Sequence, residues 1–118
     1  MPQLTKKQIK QTEKQIVKQL TQVCHLALAE LDGFCWLTHL VDYQNINASM
    51  QVVCVFQTEE DINNLEENKQ KLINWVEAYL KQINIKLARP ARQIQFDSEQ
   101  ACAAHHQGDW DRRLMARH

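Results

Sequence analysis

Apolar residues recur at helical spacing from residue 5 to residue 31. Ile9, Ile16, Leu20, Val23, Ala27 and Leu31 mark one stripe, and Val17, Cys24 and Leu28 widen it. Thr5 followed by Gln8 has the form of a capping box, and Gly33 stands where a helix stop belongs. The spacing predicts a first helix whose apolar second half packs on a sheet while its Lys- and Gln-rich first half projects.

The period then shortens. Phe34 to Tyr43 and Met50 to Phe56 read as two strands joined by the polar loop Gln44-Asn45-Ile46-Asn47-Ala48-Ser49. Alternation puts Phe34, Trp36 and Leu40 on one face of the first strand and Cys35, Leu37, Val41 and Tyr43 on the other. Met50, Val52, Cys54 and Phe56 share a face of the second strand, opposite Val53 and Val55. Strands apolar on both faces are covered on both faces. Two long helices cover one; the C-terminal segment or a second subunit, hence a homodimer, covers the other.

Thr58 opens a second long helix with Glu59, Glu60 and Asp61 in its first turn, where acids complement the helix dipole. Its stripe is Ile62, Leu65, Leu72, Ile73, Val76, Leu80 and Ile83, and Asn84 ends it. Ile85-Lys86-Leu87 reads as a short extended piece and Arg89-Pro90-Ala91-Arg92 as a breaker. Gln93 to Asp97 alternates as a third strand with one wet face. Asp97 or Ser98 caps a short helix from Glu99 to His106, ended by Gly108. Trp110, Leu114 and Met115 share one side of a last turn or two. The expected fold is α+β: two long amphipathic helices on a small, mostly antiparallel sheet, in the order helix, strand, strand, helix, strand, short helix. With 118 residues this is one domain, its ends frayed at 1–4 and 116–118.

Composition adds a compartment. Cys24, Cys35, Cys54 and Cys102 contain no Cys-x-x-Cys pair, the N-terminus lacks an apolar signal core, and no apolar run reaches a membrane span. A cytoplasmic protein with free thiols and no membrane partner is expected.

Charge is balanced overall, fourteen bases against fourteen acids, but unevenly spread. Residues 1–22 hold five lysines and one glutamate; residues 58–67 hold five acids and no base. Lys6, Lys7, Lys10, Lys14 and Lys18 approximate one helical face, and Arg89 and Arg92 add guanidiniums that suit phosphate. These are the candidate contacts for nucleic acid or a protein partner. Cys102, His105 and His106 share a helix face at i, i+3 and i+4, the candidate ligands of a metal ion, the sole cofactor suggested. Cys24, His25 or His39 would have to supply a fourth. His39 and Asp42 interrupt the first strand but point to opposite faces, so they form no dyad there. If a catalytic acid exists, it is Asp42.

The element order invites comparison with one type of single-strand RNA-binding KH module, but its Gly-x-x-Gly clamp is absent. Metal-dependent nuclease cores are excluded because Gln51 to Gln57 carries no carboxylate or lysine. No phosphate loop or nucleophile elbow occurs. The stretches Gly33 to Tyr43, Val52 to Phe56 and Gln95 to Cys102 resemble a family of small uncharacterised bacterial proteins, some labelled Fis family transcriptional regulators. The resemblance spans about Thr5 to Trp110 and implies no catalytic residues. The expected function is a non-enzymatic cytoplasmic regulator or adaptor that binds a protein or nucleic acid. The alternative is a small metal-dependent enzyme using the Cys/His cluster.

Overall fold

The computed structural model describes residues 4–117. Helix α1 runs from Lys6 to Glu30, and its N-terminus is closed as expected: the Thr5 side chain accepts from the Gln8 amide and Gln8 reaches back to the Thr5 amide. Burial begins only at Ile16 and continues through Leu20, Val23 and Ala27, so the lysine-rich first half does project. Gly33 has φ +79°, and a Cβ there would sit 2.3 Å from the Asp61 carboxyl. A side chain is therefore excluded twice, by conformation and by space.

Strand β1 (Phe34–Leu40) pairs antiparallel with β2 (Gln51–Phe56), with Leu37 opposite Cys54 and His39 opposite Val52. A bulge between Phe34 and Trp36 corrects the expected alternation. The extra residue turns Phe34 onto the Leu37 face, where its ring meets Phe56 edge-on at 5.4 Å. Between the strands the polar loop contains one helical turn, α2 (Ile46–Ser49).

The second long helix is two helices. α3 (Glu59–Asn63) carries the Thr58–Asp61 capping box. The chain then breaks through Asn64, Leu65 and Glu66, the last at φ +51°, before α4 (Glu67–Lys81) begins. Leu65, inside the break, is buried in the same core as Leu72, Ile73 and Val76. α4 lies antiparallel to α1, its start tied to α1's end by Lys71 and Glu30 at 3.3 Å.

That antiparallel return corrects the expected sheet. α4 carries the chain back to the end where β2 began, so β3 (Ile94–Ser98) runs parallel to β2, and the three-stranded sheet, ordered β1-β2-β3, is mixed. Ile85 and Leu87 are buried, but their segment joins no sheet. The Arg-Pro breaker forms one helical turn, α5 (Pro90–Gln93).

Val52, Cys54, Phe56 and Ile94 form the inner face of the sheet and pack with α1 and α4 in one apolar core. The outer face carries Val53 and Val55, both fully buried, beside Gln95 and Asp97. Helix α6 (Glu99–His106), capped by Ser98, leads through Gln107 and Gly108 to α7 (Trp110–Met115), which closes over that face. The chain's own tail therefore covers the second face, and its burial needs no second subunit. Met115 is corrected: it is 75% exposed and takes no part. Of the ends expected to fray, residues 1–3 and 118 lie outside the described residues, while Arg117 is held against Asp97 at 2.5 Å. Among the described residues no helix is long and apolar enough to cross a membrane.

Candidate functional site

The fold sorts the balanced charge into two ends. The projecting half of α1 presents Lys6, Lys7, Lys10, Lys14 and Lys18, all exposed. The same end receives the exit of α4, since a groove there is lined by Thr12 and Gln15 of α1 together with Asn45, Asn47, Ile83 and Ile85. Lys81, Lys86, Arg89 and Arg92 follow on that exit, also exposed. At the far end, where α1 stops, Gly33 meets Asp61, and Glu59 accepts from the Ser98 hydroxyl at 2.9 Å. Glu60, Glu66 and Glu67 gather there. The structure thus brings Arg89 and Arg92 to the same end as the lysines, a placement the sequence could not supply.

At the basic end, a cavity of about 450 Å³ opens between the α2–β2 connection and α5, lined by Ser49, Gln51, Arg89, Arg92 and Gln93 among others. Its walls are stapled. Gln93, buried, donates from Nε2 to the carbonyls of Asn47 and Met50, each at 2.9 Å, and accepts from the Arg89 amide at 2.5 Å. Asn47 also accepts from the amides of Lys86 and Ala88, at 3.2 and 3.0 Å. Gln51 behaves differently: its Oε1 is buried and has no hydrogen-bond partner among the described residues. The sequence pointed to the arginines here but not to Gln51, Ser49 or Gln93. The available signal was a glutamine set beside a proline breaker at a strand's start, where a backbone turn needs a polar partner.

The metal candidates are not assembled. Cys102 faces the interior and is fully buried, His105 is exposed, and His106 Nδ1 lies 3.1 Å from Arg113 Nη1. Cys24 and His25 belong to α1 and His39 to β1, and none of them completes a cluster with the three residues of α6. Among the described residues no three His, Cys, Asp or Glu side chains converge to hold an ion. Burial pushes all four thiols up, Cys54 to about 12, so none is a ready thiolate. Asp42 serves its turn: Oδ1 accepts from the Gln44 amide at 2.9 Å, and Ser49 Oγ bridges the Asp42 backbone. His39 lies beside Val17, Leu20 and Cys24, where burial lowers its pKa against the opposing pull of Glu13.

Asp97 was expected on a wet strand face and is instead 3% exposed. Arg113 grips it with a fork, Nε to Oδ2 at 2.7 Å and Nη2 to Oδ1 at 2.8 Å, and Ser98 donates its amide at 2.8 Å. Arg117 adds a bond to Asp97 and another to Gln95. Burial alone would raise the Asp97 pKa; the two arginines and the Ser98 amide outweigh it and hold the carboxyl below its usual range. With its oxygens fully engaged this carboxylate fastens α7 and is not free for proton transfer. Comparison with protein-family models, curated proteins and solved structures finds no match for the chain.

Proposed function

We propose that this chain is a non-enzymatic cytoplasmic binding protein whose basic end engages the phosphate backbone of nucleic acid. One observation carries the reading: Lys6, Lys7, Lys10, Lys14 and Lys18 project from the body on a helix, and the fold adds Lys86, Arg89 and Arg92 to the same end. Clustered cations release counterions when they meet phosphates, which is the main source of sequence-independent affinity. Catalysis has less support, because the histidines and carboxylates that it would use are separated or already bonded.

Fluorescence anisotropy with labelled single-stranded and duplex oligonucleotides tests this. Affinity should fall linearly on logarithmic axes as salt rises, with a slope of roughly 0.7 to 0.9 per phosphate contacted. A Lys10→Glu, Lys14→Glu variant should bind at least about tenfold more weakly at low salt. No binding at low salt, or binding indifferent to salt, rejects the proposal.

A further inference from the structure

We propose that the cavity between the α2–β2 connection and α5 is a seat for one phosphate group, carried by a free nucleotide or by a nucleic-acid strand. Four features point to it. Arg89 and Arg92 stand on its rim, and among the described residues neither guanidinium meets a carboxylate. Planar guanidinium forks match the geometry of phosphate oxygens. The walls are fixed before any ligand arrives, because Gln93 and Asn47 bond the two segments together. A site organised in advance loses less on binding.

Gln51 supplies the third feature. Its Oε1 has no partner among the described residues, so the amide gives up no hydrogen bond at that atom when it turns toward a ligand. Turned into the cavity, it adds NH₂ donors to those of the two arginines. Finally, among the described residues no acidic side chain lines the cavity, and its volume of about 450 Å³ admits a phosphate with an attached sugar. A terminal phosphate presents three oxygens to the two guanidiniums and the amide, one more than a carboxylate.

Only the strand as source rests on the polyanion reading; a free nucleotide needs nothing from the lysines of α1. The experiment separates them. Wild-type protein is titrated with inorganic phosphate, with adenosine monophosphate and with a single-stranded oligonucleotide, and backbone NMR and calorimetry are followed. The expected result is movement of the Ser49, Gln51, Arg89 and Arg92 resonances, and about tenfold weaker binding in an Arg89→Ala, Arg92→Ala variant, the loss of a charge-assisted bond or more. Gln51→Leu should weaken binding severalfold, and Lys10→Ala, Lys14→Ala should leave the small ligands unaffected. If only the oligonucleotide binds, and does so through the arginines, the seat stands and its source is a strand. If the wild type binds none of the three, or the arginine variant binds as well as the wild type, the seat is overturned. Strand binding lost only in the lysine variant would then leave the polyanion reading intact.

Discussion

The two faces of the sheet are buried by different physics. The inner face lies under α1 and α4, twenty-five and fifteen residues long, and is sealed mainly by apolar contact. The outer face holds Val53 and Val55 but lies under α7, a helix of six residues. So short a cover removes little apolar area, and at about 25 cal/mol per Å² it would not stay closed on that account. It is fastened by directional bonds instead. Arg113 and Arg117 hold Asp97, while Trp36 and Trp110 meet edge-on at 4.9 Å and donate to the two oxygens of Glu99 at 2.6 and 3.2 Å. A large cover tolerates loose chemistry; a small one needs specific partners.

The heaviest blow should come on the inner face. Phe56 is fully buried between Phe34 and Phe96, and Phe56→Ala should cost about 4 kcal/mol, a large share of the stability of a chain this size, read as a sharp drop in the urea midpoint. On the outer face, Asp97→Asn keeps the shape and removes the charge, leaving two half-buried guanidiniums without their anion. A loss of about 2–3 kcal/mol is expected, with amide exchange accelerated across 110–117 and α1 and α4 still protected. Global unfolding equal to that of Phe56→Ala would show that the two covers are not separable. The acid limb gives an independent reading. Asp97 titrates below its ordinary 3.8 when folded, so the unfolded chain binds the proton first and stability falls as pH drops through that value. The Asn variant should lose that part of the slope.

The smallest effect belongs to His39, the polar exception on the inner side. Burial holds its pKa below the ordinary 6.5, so between the folded and unfolded values the unfolded chain carries more protons and stability rises with pH. Thermal melts should therefore fall as pH drops below about 6.5, and His39→Leu should flatten that dependence. An unchanged profile would show that the imidazole is solvated in the folded chain.

Local signals were legible in the sequence, and distant partners were not. The Thr5, Thr58 and Ser98 caps, the Gly33 stop and the hairpin all follow from residues within a few positions of one another. The parallel direction of β3 depends on where α4 delivers the chain, which no local pattern encodes. Alternation in Gln93 to Asp97 was visible, but Asp97 finds its arginines sixteen and twenty residues later, on and just past a helix too short to show a period. The bulge at Cys35 broke the phase of the first strand without a glycine to announce it. Of the candidate contacts, the lysines and arginines could be named as charges; their convergence on one end, with Gln51 beside them, required the fold.

Zero net charge is a poor guide to how this molecule meets others. The long axis spans 44 Å, and the Debye length at physiological ionic strength is about 8 Å. A visitor near the lysines is therefore screened from the glutamates at the other end. Each end acts as a separately charged body, and the chain approaches a partner as a cation or as an anion according to which end leads.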